Sequence, residues 1–80
     1  MENGTLYDLA VGNEAKIADF FDENVRELSE KFGLFCGKTI KCVSKYGPII
    51  IENRFQTMAL GKDLASKIYI EKPVQSENIP

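Results

Sequence analysis

The last third of the chain decides the fold, because it carries most of the sheet-forming sequence: "YGPIIIENRFQTMALGKDLASKIYIE", Tyr46 to Glu71. Three segments rich in β-branched and apolar residues recur in it, "IIIEN", "FQTMAL" and "IYIE", and short turns or a single helical turn separate them. Ile68 and Ile70 alternate with Tyr69, which predicts that both isoleucines point into a core. None of these segments carries an obvious reactive group.

The segments before this stretch predict two more strands and a short helical turn. Apolar alternation places a first strand at 14–20, and a further strand spans 38–44. In that second strand Cys42 faces the core and behaves as a small hydrophobic residue. Leu6 and Leu9 are three residues apart, which predicts a short turn of helix that closes one end of the core.

The segment "DENVRELSEKFG" is the clearest helix of the chain, and it follows the first strand. Phe21, Val25, Leu28 and Phe32 recur at i, i+4, i+7 and i+11, which predicts that they form one apolar stripe facing the core. Gly33 stands where a left-handed residue is expected to end the helix. The charged residues between these positions are expected to form a solvated face.

These elements predict a small, mainly β protein: a five-stranded barrel, with one α-helix inserted after the first strand and a short helical turn before the last strand. A chain of 80 residues is long enough for one domain, which we place at 5–71. The remaining segment 72–80, "KPVQSENIP", has no apolar period, and we expect it to be a flexible tail.

Composition excludes several classes of function. A net charge of −2 and a pI near 5.0 argue against nucleic-acid binding, although Lys38, Lys41 and Lys45 fall in one segment. The chain has no histidine, which removes the commonest catalytic base and the commonest transition-metal ligand. We therefore expect no enzyme activity, no cofactor and no metal site. The start of the chain has no signal-peptide pattern, and no stretch of the sequence is apolar over a length that could cross a membrane. Both observations favour a cytoplasmic protein, in which Cys36 and Cys42 are expected to be reduced.

Three carboxylates lie close together in sequence, at Asp19, Asp22 and Glu23. Calcium and magnesium take such ligands, but the pattern of a calcium-binding loop is missing. Capping of the helix by Asp19 or Asp22 is the favoured interpretation. The segment "GLFCGKT" ends like a phosphate-binding loop, but its glycine spacing is one residue too short and a strand follows it.

Four aromatic residues leave two interpretations open. They are Phe35, Tyr46, Phe55 and Tyr69, of which Phe35 is flanked by turn glycines and Tyr46 sits at a predicted hairpin tip. Aromatic side chains exposed on the loops of a small barrel mark a protein-contact surface. Alternatively, they cover the ends of the core.

Four segments, taken in order, resemble the successive motifs of the FeoA family, the small SH3-like proteins of bacterial ferrous iron transport. They are "TLYDLAVGNEAKI" (5–17), "FGLFCG" (32–37), "TIKCVSKYGPIII" (39–51) and "MALGKDLASKIYIE" (58–71). The chain departs from the family pattern at Cys36, where proline is usual, at Gly61, where arginine is common, and in the loop 46–48, which is shorter and lacks an aspartate. Ser29 and Glu30 are polar where the family helix is often leucine-rich.

The resemblance implies an SH3-like fold and an accessory role without an active site. It implies a partner, the cytosolic G-protein region of the membrane transporter FeoB. Apart from the resemblance, exposed sheet edges or apolar loop tips are compatible with a weak homo-oligomer. The predicted contacts lie on the 34–38 turn and the 46–55 hairpin: Leu34, Phe35, Lys38, Tyr46, Arg54 and Phe55. An alternative implied by the same resemblance is a metal-responsive module related to the C-terminal domain of iron-dependent repressors.

Overall fold

The computed structural model describes residues 4–54 and 56–71. A 3-10 turn at Leu6–Asp8 precedes the first strand, and the remaining elements are β1 (Glu14–Phe20), α1 (Glu23–Lys31), β2 (Thr39–Ser44), β3 (Ile49–Glu52), β4 (Thr57–Leu60), α2 (Lys62–Ala65) and β5 (Ile68–Glu71). The predicted first strand, the helix after it and the helical turn before the last strand are confirmed. The predicted tail 72–80 lies outside the described residues.

The strands form one antiparallel sheet in the order β4-β3-β2-β1-β5. β1 therefore lies between β2 and β5, where Ala15 faces Ile40 and Ile17 faces Ile70 across the sheet. Such opposite pairs place apolar side chains on one face, because successive residues of a strand alternate between faces. This is the mainly β, five-stranded arrangement that the sequence predicts.

The core occupies that inner face and draws on every strand. Ile68 and Ile70 are fully buried, as their alternation predicts, and so is the thiol-bearing Cys42. Leu6 and Leu9 are buried beside the sheet, where the 3-10 turn lies against α2 and β5. These residues confirm the predicted closure of one end of the core by a short helical turn.

The predicted apolar stripe of α1 is wrong. Val25 and Ser29 are the buried residues of the helix, whereas Phe21, Leu28 and Phe32 are 58%, 43% and 44% exposed. At 100° per residue, the buried side is rotated by about 50° from the centre of the apolar stripe. The helix therefore presents part of its apolar surface to solvent.

The connections at the two ends of α1 explain this rotation. Phe20 before the helix and Leu34 after it are both buried in the core, so they fix where the helix begins and ends. The N–H of Leu34 donates to the carbonyl of Ser29 at 3.0 Å, and Gly33 turns the chain with a φ of +84°. A helix of nine residues held in this way cannot roll to bury its whole apolar stripe.

Candidate partner-binding groove

An open groove of about 770 Å³ lies on the face of the sheet opposite the core. The loop 33–38 forms one wall, and residues 53, 54 and 56, between β3 and β4, form the other. Residues at the starts of β1 and β2 and at the end of β3 form the floor. We call this feature the groove.

The first wall is fixed to the sheet by backbone hydrogen bonds. Gly37 N–H donates to the carbonyl of Ile17 at 2.7 Å, and Ile17 N–H donates to the carbonyl of Lys38 at 2.9 Å. Lys38 N–H also donates to the carbonyl of Phe35 at 3.1 Å, which closes the turn. Gly37 has a φ of +90°, a conformation that favours glycine. The wall therefore holds Phe35, which is 43% exposed, in a defined place.

The second wall is fixed in a similar way. Asn53 N–H donates to the carbonyl of Gln56 at 2.9 Å, and Gln56 N–H donates to Asn53 Oδ1 at 3.2 Å. The side-chain amide of Gln56 donates from Nε2 to the carbonyl of Phe32 at 3.1 Å. This bond joins the turn to the C-terminal end of α1, so the two walls are held relative to one another.

The floor carries a row of alternating charges. Lys41 on β2 lies opposite Glu14 on β1 and opposite Glu52 on β3. Opposite residues on antiparallel strands have Cβ atoms about 5 Å apart, which allows charged side chains to interact. The lysine therefore offsets one of the two negative charges beside it.

Three of the predicted contact residues meet in the groove: Phe35, Lys38 and Arg54 all line it. Leu34 needs a correction, because it is fully buried in the core and offers no side-chain surface to a partner. Tyr46 is 100% exposed in the turn between β2 and β3, but it does not line the groove. Phe55 lies outside the described residues.

Sequence reasoning missed the floor and part of the second wall. Glu14, Glu52 and Gln56 line the groove and were not predicted, and Lys41 was noted only as one of three nearby lysines. Their roles depend on which strands pair and in which register. The one signal in the sequence is that Glu14, Glu52 and Gln56 lie near the ends of predicted strands, which gives no register.

The three clustered carboxylates are each engaged locally. Asp22 caps α1, with Oδ1 accepting from Val25 N–H at 2.9 Å, which confirms the capping interpretation. Asp19 Oδ1 accepts from Phe20 N–H at 2.8 Å, and both oxygens of Glu23 accept from Arg26 at 2.8 and 2.7 Å. The hydrogen bond that Arg26 donates to Glu23, followed by the negative charge of Glu23, raises the pKa of Arg26 above its ordinary value.

Over residues 4–54 and 56–71, no group of three or more histidine, cysteine, aspartate or glutamate side chains is arranged to hold a metal ion. Cys36 is exposed and Cys42 is buried, and both are free thiols. Within the same ranges, neither helix is long and apolar enough to cross a bilayer.

The fold defines the class of protein: a small, mainly β domain of the SH3-like kind. The model of the FeoA domain matches residues 4–72, so the chain belongs to the FeoA family. This family is linked to ferrous iron transport. Its members are accessory transport proteins, and it is not a known enzyme family. The comparison with curated protein sequences returned no match.

Solved structures agree with this assignment. The chain is similar to an iron uptake regulatory protein (FeoA), at 26% identity and a TM-score of 0.81, covering 89% of this chain and 97% of that one. It is also similar to Stenotrophomonas maltophilia FeoA complexed with zinc, an SH3 domain protein, at 19% identity and a TM-score of 0.74, covering 84% and 88%. A manganese-dependent transcriptional repressor shares the fold at 16% identity and a TM-score of 0.76. That match covers 89% of this chain and 42% of the repressor chain.

Proposed function

We propose that this chain is a cytoplasmic accessory protein of bacterial ferrous iron uptake, which acts by binding the cytosolic G-protein region of a FeoB-like transporter. Membership of the FeoA family supports the pathway. The similar protein from Stenotrophomonas maltophilia is described as a candidate bacterial ferrous iron transport activating factor, which supports a transporter as partner.

The observation that carries this proposal is the groove. Its two walls are held by backbone and side-chain hydrogen bonds, so its shape is formed before any partner arrives. A preformed surface binds without the entropy loss of ordering its loops. The groove is also lined by Phe35 and Arg54, and aromatic residues and arginine are enriched at protein interfaces.

The proposed contacts follow from where the residues lie. Phe35, Lys38 and Arg54 meet the partner in the groove, and Tyr46 makes a separate contact at the tip of the β2–β3 hairpin. Phe55 remains in the proposed set because it follows Arg54 in sequence. Leu34 acts indirectly, by anchoring the first wall in the core.

The test is calorimetric titration of the protein against the cytosolic region of the FeoB from the same organism, without nucleotide, with GDP and with a non-hydrolysable GTP analogue. We expect Phe35→Ser to weaken binding about ten-fold, since truncation of a central aromatic contact typically removes more than 1 kcal/mol. Val11→Ser is the matched control, because Val11 is also an exposed apolar residue but does not line the groove.

The same titration also shows whether the hairpin tip takes part in binding. Tyr46→Ser tests the hairpin tip, and a loss similar to that of Phe35→Ser would mean that the partner covers both places. Absence of binding by the unaltered protein in all three nucleotide states would contradict the proposal.

A second candidate function is that of a metal-responsive SH3-like module. Similarity of fold to a manganese-dependent transcriptional repressor favours it, and the similar Stenotrophomonas FeoA was solved as a zinc complex. Calorimetry with ferrous iron alone and with manganese alone, under anaerobic reducing conditions, distinguishes the candidates. Tight binding of one ion per chain would favour the metal-responsive module, and heats no larger than dilution would favour the partner-binding accessory.

A further inference from the structure

We infer that the groove recognises an acidic, apolar segment of its partner, with a carboxylate placed against Lys38 and an apolar side chain placed against Phe35. This inference rests on the proposed function and specifies the chemistry of the partner segment.

The charge of the groove differs in sign from that of the chain. Lys38, Lys41 and Arg54 line it together with Glu14 and Glu52, which gives a net charge of +1. The whole chain has a net charge of −2. An acidic segment is therefore attracted to the groove and repelled by the rest of the surface, which steers it to this site.

The positive charge in the groove is concentrated at its rim. The floor, with Glu14 and Glu52 in register beside Lys41, has a net charge of −1, and Lys38 and Arg54 on the walls contribute +2. Lys38 lies on the first wall, is exposed, and forms no ion pair with the part of the chain that the structure describes. A carboxylate of the partner gains most at this lysine, because no carboxylate of this chain competes for it.

Phe35 is the contact for the apolar side chain of the partner segment. Its ring is 43% exposed on the same wall as Lys38, three residues earlier in the chain. The Lys38 N–H to Phe35 carbonyl hydrogen bond fixes the spacing of these two residues at 3.1 Å between the bonded atoms. Burial of an exposed aromatic ring is a large favourable contribution at an interface. Charge and ring therefore form one recognition element.

The test uses model peptides, so that it does not depend on the transporter. Two nonapeptides, one of alternating aspartate and leucine and one of alternating lysine and leucine, are titrated into the ¹⁵N-labelled protein, and amide shifts are followed by NMR. We expect the aspartate peptide to shift amides in 33–41 and 52–54, and the lysine peptide to leave them unchanged. Equal or stronger effects from the lysine peptide, or shifts confined to other regions, would overturn the inference.

Matched charge variants locate the effect at one residue. We expect Lys38→Glu to raise the dissociation constant of the aspartate peptide about five-fold, in keeping with the loss of an exposed ion pair and added repulsion. Lys38→Gln removes the charge without reversing it and should give a smaller rise. Lys62→Glu makes the same change of charge on exposed α2, outside the groove, and should change the constant less than two-fold. An equal effect from both reversals would show attraction by overall charge only and would contradict the inference.

The peptide test and the transporter titration can fail separately. Groove binding of the aspartate peptide without binding to FeoB would retain the recognition chemistry and contradict the proposed partner. Binding to FeoB that Phe35→Ser weakens, with no preference for the aspartate peptide, would retain the partner and contradict the chemistry.

Discussion

Ser29 lies fully buried on the inner side of α1, and its hydroxyl oxygen has no hydrogen-bond partner among the described residues. Its backbone carbonyl, by contrast, accepts from the N–H groups of Phe32 and Leu34, both at 3.0 Å. The position is thus important for ending the helix, while its hydroxyl makes no contribution that offsets its burial. Burial of an unpaired polar group is unfavourable, so the native residue limits the stability of α1.

Replacement of this residue tests that interpretation. We expect Ser29→Ala to raise the free energy of unfolding by about 1 kcal/mol, because it removes an unpaired buried hydroxyl and improves helix propensity. Urea denaturation followed by circular dichroism measures the change. The control is Ser66→Ala, because the Ser66 hydroxyl donates a hydrogen bond to the carbonyl of Asp63 at 2.8 Å. Loss of that bond should lower the free energy of unfolding by about 0.5 kcal/mol. A destabilised Ser29→Ala variant would indicate that the hydroxyl does have a partner.

At the scale of single elements, α1 shows which part of a helix the sequence determines. The spacing of Val25, Leu28 and Phe32 correctly predicts that the segment is helical. It does not predict the rotation of the helix, because the buried residues on either side, Phe20 and Leu34, fix its ends. Anchors of this kind act through tertiary packing, to which a periodicity argument has no access.

A matched pair of truncations distinguishes the two faces of α1. Val25→Ala should lower the free energy of unfolding by about 2 kcal/mol, because it removes buried apolar groups and leaves a cavity. Leu28→Ala should lower it by less than about 1 kcal/mol, since that side chain is partly exposed. Chemical denaturation of both variants gives the comparison. The reverse order would mean that the helix is rotated as its apolar stripe predicts.

The groove also combines features that the sequence predicts with features that depend on how the strands pair. The turns at 33–37 and 52–54 can be predicted from glycine and polar residues, whereas the exposure of Phe35 is one of two interpretations that the sequence leaves open. The position of these turns as facing walls cannot be predicted, since it depends on β2 pairing with both β1 and β3. Lys41 meets Glu14 and Glu52 only in the observed register, and a shift of β2 by one residue would move Lys41 to the other face of the sheet.

At the scale of the whole molecule, five β-rich segments predict a mainly β fold and part of its core. Alternation along a strand is a local property, and it placed Ile68, Ile70 and Cys42 correctly. The SH3-like fold itself came from the resemblance of ordered motifs to a family. The site is harder to predict, because Tyr46 is exposed like Phe35 but lies in the β2–β3 turn and not in the loop 33–38. Exposure alone does not bring residues together.

The two thiols report on the integrity of the whole fold. We expect iodoacetamide to alkylate Cys36 under native conditions, because it is exposed, and Cys42 only when the core opens. Mass spectrometry should show one adduct in buffer and two in concentrated guanidinium chloride, a denaturant that has about twice the effect of urea at the same molar concentration. The Cys36→Ser variant should show none in buffer, as the control. Two adducts formed at similar rates in buffer would mean that the core is not closed around Cys42.

The attachment of the first groove wall to Ile17 has a consequence for how this protein can change. The side chain of Ile17 is buried in the core, while its backbone N–H and carbonyl hold Lys38 and Gly37. One residue thus serves interior packing and the outer surface at once. A substitution that shifted this strand by even a fraction of an ångström would be transmitted to the recognition loop, so variation in partner preference is expected in side chains along the rim and not in the backbone that carries them.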